Sequence, residues 1–410
     1  MFKNFRLSIL FLVLLSATNS LTNAQTTVVV NSAVPFLRII PDARGSSMGD
    51  VGIATPVDPN ATFYNPSKLA FSTKKVGLSM SYAPWLRSLG ITDIYLAHMA
   101  AYYKFTQHDA VNLSFKFFSL GDIQYTNDIG EDIGRGSPRE LTLDAGYVRR
   151  LGNLFSLGVN FRYIYSNLGR GATFSDPVKP GHAFGADLSG TFNKNLEVGK
   201  NKMKSNIMAG FNISNMGTKI SYSDNAPTKD FIPTNLGLGF GFRIRPHKQH
   251  EVGIYTDFNK LMVPTPKAGD ADSNGVSDFR EQSSLKGMFS SFFDAPFKEE
   301  LKEWTMGIGT EYWYDQMVAA RFGYFLEGKE KGNRRFLAVG VGIKYSVFGL
   351  DFSYLIPTNS QRNPLDNTFR FTLKFDFAKQ ADFYKEDIIR DKNPEIDETD
   401  KTTKKKLKGK

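Results

Sequence analysis

Cysteine is absent from all 410 residues, so no disulfide can hold this fold and no thiolate can act as nucleophile or metal ligand. Long apolar runs are missing as well. The stretch from Leu7 to Leu15 is far short of the ~20 residues a membrane-spanning helix needs, and no later run reaches that length. Histidine is scarce. His98, His108, His182, His247 and His250 are scattered, and no G-x-S-x-G or comparable nucleophile context accompanies them. His247 and His250 share a short turn but bring no third metal ligand. Catalysis is therefore not expected of this chain. A compact basic patch is lacking too: the net charge is +10, yet Lys and Arg are spread over the whole sequence without an aromatic-basic cluster. Nucleic acid is thus not an expected partner.

What is present begins with a secretory layout. MFKNFRLSILFLVLLSATNSLTNAQ places Lys3 and Arg6 ahead of the apolar run and ends in small residues near Ala24, so residues 1–24 read as a signal peptide. An exported chain without cysteine must rest on a large core or a closed sheet. Composition favours the sheet. Aromatic residues make up 13% of the chain and Gly and Phe number 36 and 35, while mean hydropathy stays at −0.30 because polar residues alternate with apolar ones.

From about residue 74, segments of roughly ten alternating residues recur between turn residues. FRFTLKFDF sets Phe369, Phe371, Leu373, Phe375 and Phe377 on one face and Arg370, Thr372, Lys374 and Asp376 on the other. Large aromatics outward and charge inward is the pattern of a transmembrane antiparallel β-barrel, where lipid takes the apolar side. The expected strands are 75–85, 93–105, 110–120, 139–150, 154–166, 182–194, 205–214, 234–245, 250–260, 304–315, 317–327, 335–347, 349–357 and 367–377. The fold class is all-β, a barrel of about 14 strands spanning residues 74–378. An even number returns both barrel ends to one side, which in bacterial outer membranes is the periplasm.

The connections alternate in length. TQHD, LGN, HKQH, DQ and VFG are short and 195–204 is somewhat longer, whereas 120–138, 167–181, 214–233 and 261–303 are long and read as extracellular loops. Glycines alternate in GLGFGF (237–242) and VGVGIK (339–344) without a following helix, which points to close packing at the barrel wall and away from a nucleotide loop. Residues 25–73 do not alternate cleanly, and fourteen strands leave space that side chains alone do not fill. This segment is expected to plug the lumen, with Asn65, Pro66 and Ser67 as its motif. Residues 379–410 read as a charged, disordered periplasmic tail, mostly acidic over 382–400 and carrying six lysines in KTTKKKLKGK. Both termini are expected on the periplasmic side of the outer membrane of a Gram-negative bacterium.

One loop carries a motif of its own. DADSNGVSDFRE fits the EF-hand loop pattern and nominates Asp270, Asp272, Asn274, Asp278 and Glu281, with the carbonyl of Val276, as calcium ligands. Pro264 and Pro266 bar a regular entering helix. On the exit side Leu285, Met288, Phe289, Phe292 and Phe293 recur at helical spacing, and Glu281 would be both last ligand and first-turn acid of that helix. A structural calcium ion is the only cofactor expected. It would stiffen the base of an apolar, partner-binding helix.

FLRIIPDARGSSMGDVGIAT (36–55), followed by DPNATFYNPSKLAF (58–71), resembles the N-terminal signature of the PorV family, outer-membrane barrels of type IX protein secretion within the wider FadL-like group. Ser67 stands where the wider group commonly has Ala, and Gly45-Ser46-Ser47 replaces a more glycine- and alanine-rich run. The resemblance implies a cargo shuttle. It would bind the C-terminal signal domain of cargo leaving the translocon pore protein and pass it to a surface, sortase-like attachment complex that joins cargo to lipopolysaccharide. Because Phe377 ends the last strand and a tail follows, an internal insertion signal near Phe377 is also implied. The alternative is a FadL-like channel for hydrophobic small molecules.

Overall fold

Every membrane-spanning strand of this chain must find two neighbours, because a sheet edge left in lipid would carry unsatisfied N–H and C=O groups. In the computed structural model the sheet does close. Residues 30–379 are described, apart from 88–89, 171–177, 225–228, 267–268 and 360–367. The signal expected at 1–24 and the tail beyond residue 379 lie outside the described residues.

The strands are β1 (Lys74–Pro84), β2 (Ile94–Lys104), β3 (Asp109–Leu120), β4 (Ile123–Thr126), β5 (Asp132–Gly136), β6 (Arg139–Leu151), β7 (Phe155–Asn167) and β8 (Gly181–Val198). They continue with β9 (Met203–Gly217), β10 (Asn235–His247), β11 (His250–Leu261), β12 (Trp304–Tyr314), β13 (Val318–Leu326), β14 (Arg335–Tyr345), β15 (Phe348–Pro357) and β16 (Phe369–Lys379). All but β4 and β5 form one antiparallel barrel of fourteen strands, closed where β1 pairs with β16 from Lys74↔Lys379 to Tyr82↔Phe371. Alternation decides the faces. On β16, Phe369, Phe371 and Phe377 are exposed while Arg370 and Thr372 are buried, so aromatics face lipid and charge faces the lumen.

Two connections differ from the sequence reading. The stretch 195–204 is a tight turn, because β8 runs on to Val198 and β9 starts at Met203, with Gly199 and Lys202 at positive φ. Lys194 interrupts the apolar face there and hides the continuation. The long loop 120–138 contains a second sheet, the β4–β5 hairpin, paired from Ile123↔Gly136 to Thr126↔Asp132. All short turns then lie at one end of the barrel and all long connections at the other.

Residues 30–73 run through the interior. Val30 packs on Phe231, Leu261 and Val263, and the Ala33 N–H donates to the Phe231 carbonyl at 2.9 Å, which puts these residues at the end of the long connections. The chain then descends through short helical turns, Pro35–Arg38, Ala43–Ser47, Ala61–Tyr64 and Pro66–Phe71, before entering β1 at the other end. Barrel strands thus begin and end on one side, at Lys74 and Lys379, but the first described residues stand at the opposite end. The lumen segment therefore crosses the barrel once before the first strand, and the termini themselves, expected on the periplasmic side, lie outside the described residues.

Glycine makes that passage fit. A Cβ at Gly239 on β10 would meet Ile53 at 2.6 Å, and one at Gly323 on β13 would meet the Met48 backbone at 2.1 Å. The alternating glycines are therefore inward-facing gaps into which the lumen segment presses.

Candidate functional site: the filled lumen and the loop at its mouth

Charged side chains that point into a dry interior need partners, since a lone buried charge costs several kcal/mol. Here they find them across the lumen. Arg44 donates from Nε and Nη2 to the Glu311 carboxylate at 2.9 and 2.8 Å and pairs with Asp58 at 3.0 Å. Arg321 donates to Glu311 at 2.7 Å and to Asp351 at 2.8 Å, and Lys374 closes the chain on Asp351 at 2.5 Å. Four barrel strands are joined in this way to the segment's helix Ala43–Ser47. A second cluster sets Arg162 between Asp144 and Asp187, the latter at 3.1 Å.

Backbone groups of the segment are met as well. Asp257 on β11 accepts the N–H groups of Gly52 and Ile53 at 2.7 and 2.8 Å. Lys104 donates to the carbonyls of Ala70 and Ser72 at 2.8 and 3.0 Å, and Lys116 to those of Leu37 and Ile39 at 3.2 and 2.7 Å. Each lysine caps the carbonyl end of one short helix.

The sequence-named Asn65, Pro66 and Ser67 lie in the middle of this lining, all buried. Asn65 Nδ2 donates to the Ile53 carbonyl, the Gly190 carbonyl and Thr191 Oγ1 at 3.1, 3.2 and 3.0 Å. The Ser67 hydroxyl donates to Asn65 Oδ1 at 2.6 Å and lies 2.7 Å from Thr191 Oγ1. Its backbone is held twice more, the N–H by Ser189 at 3.1 Å and the carbonyl by Ser156 at 2.8 Å. Ser67 in place of Ala adds bonds that an alanine could not make. Sequence reading named this motif but missed the ion chains, because inward charges on a strand look alike until the lumen segment shows which of them meet.

At the mouth, the loop after β11 brings together part of the proposed ligand set. Carboxylate oxygens of Asp272, Asp278 and Glu281 lie within 4.8 Å of one another. Asn274 Nδ2 bridges Asp272 and Glu281 at 2.9 and 2.8 Å, and Val276 gives its N–H to Asn274 Oδ1 at 2.8 Å. Asp270 is turned onto the backbone of the loop, where its carboxylate accepts the N–H groups of Asn274 and Gly275 at 3.0 and 2.7 Å. Those bonds, the Gly275 N–H first, hold its carboxyl below the ordinary range. Desolvation, then the hydrogen bond with Asp270 and the Glu281 charge, push Asp272 upward.

The helix beyond is not the single apolar face that the spacing implied. Asp278–Glu281 is one isolated turn; the chain is extended at Gln282 and Ser283, and a separate helix, Ser284–Ser290, starts on the Ser283 cap. Glu281 therefore ends one turn and does not begin the next helix. Met288 is buried, and Gly287 packs against Phe231 and Pro264. Phe292 is half-buried with the Lys260 ammonium 5.5 Å from its ring. Leu285, Phe289 and Phe293 are 65%, 65% and 88% exposed and make the outward surface, joined by Phe297 and Leu301. The sequence-named five thus divide into two that anchor the loop and three that present it.

Three of the histidines have ring partners. His98 is buried beside the Phe63 ring, while His182 and His250 lie outside, 2.7 Å from the hydroxyls of Tyr163 and Tyr312.

A closed fourteen-stranded barrel, aromatic outside and filled inside, defines a transmembrane protein of outer-membrane type. The model of the family described as type IX secretion system protein PorV matches residues 22–268, more than half of the chain, and the chain belongs to that family. A comparison with curated proteins gives no match. Among solved structures the chain is similar to the toluene transporter TbuX of Ralstonia pickettii, with 13% identity, 82% of this chain and 98% of that chain covered, and a TM-score of 0.47. It is also similar to a FadL homologue of Pseudomonas aeruginosa, with 10% identity, 86% and 100% covered, and a TM-score of 0.41.

Proposed function

We propose that this barrel is the shuttle of type IX secretion: it binds the C-terminal signal domain of cargo leaving the translocon pore protein and carries it to the surface attachment complex. The observation that carries this reading is the filled lumen in a member of this family. An interior bonded shut along its length fits a protein that works at its mouth. The long connections, taken as extracellular, are the binding elements, and the short turns face the periplasm. Lipid and lipopolysaccharide surround the wall. Binding by loops needs no reaction from the barrel itself.

In this reading Leu285, Phe289 and Phe293 meet the partner, and the loop Asp270–Glu281 is stiffened by a calcium ion. Three converging carboxylates repel one another unless a cation or a donor lies between them; the Asn274 amide fills that role here, and a calcium ion would turn its oxygen inward. Outside the cell even an affinity of ~0.1 to 1 mM keeps such a loop occupied.

The test is co-purification. Replacing Phe289 and Phe293 with Ser is expected to lower recovery of cargo and translocon on the affinity-tagged barrel at least fivefold, with the barrel still folded. Unchanged recovery would remove these aromatics from the interface.

A further inference from the structure

The mouth of the lumen holds a cavity of about 480 Å³ that the ion chains below it do not reach. One wall is apolar. Phe36 from the lumen segment and Trp85 from the end of β1 both pack on Phe118 of β3, with ring centroids 6.4 and 5.1 Å away. The opposite wall is cationic, built from Arg38, Arg334 and Arg370. Arg334 is neutralised by Glu327 at 2.9 Å, but Arg38 and Arg370 enter no ion pair among the described residues. Arg370 is 1% exposed, donates once to Ser46, and leaves its Nε without a partner. The buried indole N–H of Trp85 and Asp50 Oδ1 are also unpartnered.

Buried donors and acceptors left open in this way are costly unless something that enters the site satisfies them. Asp50 and Glu327 stand among the three guanidinium groups and leave one positive charge unbalanced, so an occupant must bring one anionic group, at least one N–H for Asp50, and apolar bulk for the aromatic wall. A plain alkyl carboxylate has the anion and the bulk but no N–H. A peptide end has all three.

We propose that this cavity receives the free C-terminal end of a polypeptide, its α-carboxylate on Arg38 and Arg370 and its apolar side chains on Phe36, Trp85 and Phe118. Its volume falls in the ~300–1,000 Å³ range of small-ligand pockets, room for a few residues and not for a folded domain. The inference rests on the export reading above and deepens it: the barrel would grip the last residues of the signal domain while its loops hold the rest.

The experiment is calorimetry on the purified full-length barrel with three probes: a five-residue leucine-alanine peptide with a free carboxylate, the same peptide amidated, and dodecanoate. The free peptide is expected to bind, the amide at least tenfold more weakly, and dodecanoate more weakly than the free peptide. Arg38→Met is expected to cost the free peptide at least tenfold and to leave the amide unchanged. Trp85→Phe, which keeps an aromatic ring on the Phe118 wall but loses the five-membered ring and its N–H, should weaken the free peptide about threefold, with heat-dependent gel mobility verifying the barrel in both variants. Equal binding of peptide and amide, tighter binding of dodecanoate, or no binding at all would overturn the proposal. The shuttle reading fails separately. If cargo still reaches the cell surface without this protein, the shuttle is wrong whatever the cavity holds; if export stops but the peptide does not bind, only the cavity assignment falls.

Discussion

At the scale of single residues, the interior depends on side chains with several partners each. Glu311 is the clearest, since it pairs with both Arg44 and Arg321. Glu311→Gln leaves two buried guanidinium groups short of charge and is expected to destabilise the barrel by ~3–5 kcal/mol, measured as an earlier urea midpoint in detergent micelles. Asn65→Ala removes three donated bonds at once, to the Ile53 and Gly190 carbonyls and to Thr191. A loss of roughly 2–3 kcal/mol is expected, with new trypsin cuts at Arg44 or Lys68 as the segment loosens. Of these residues only Asn65 could be named from the sequence, because its neighbours Pro66 and Ser67 form a recognisable motif. Glu311 could not. A carboxylate on the polar face of a strand is ordinary in any barrel, and its partner Arg44 lies far away in the chain.

At the scale of elements, alternation made the strands legible almost throughout, since lipid on one side and charge on the other leave each residue little choice of face. It failed where a lysine broke the apolar face, as at Lys194, and at the β4–β5 hairpin, whose strands of four and five residues are too short to show a period. Helical spacing was a weaker guide: Leu285 to Phe293 keep the period, but extended backbone at Gln282 and Ser283 turns Met288 and Phe292 inward. The glycine rows were seen as close packing but not as gaps for the lumen segment. Gly323→Val is expected to keep the segment from seating while the strands still pair, so protease should cut residues 30–72 in an otherwise intact barrel. Calcium belongs to this scale too. Chelator is expected to speed protease cutting within 261–303, and Asp272→Asn should make the cutting rate the same with and without chelator. The end of that loop should hold regardless, for Lys331 ties Glu299 and Glu303 at 2.8 and 3.1 Å.

At the scale of the molecule, a cysteine-free exported chain is held by closure of the sheet and by an interior bonded strand to strand through residues 34–72. In the proposed reading the working surface is the end with the long connections, where the loop aromatics and the cationic cavity both lie. Deleting the gene and comparing culture fluid, cell surface and periplasm for proteins that bear C-terminal signal domains tests this most directly. Many such proteins should vanish from the surface at once and build up in the periplasm. Normal surface display, with growth on a lipid or hydrocarbon lost instead, would contradict the shuttle and indicate a channel.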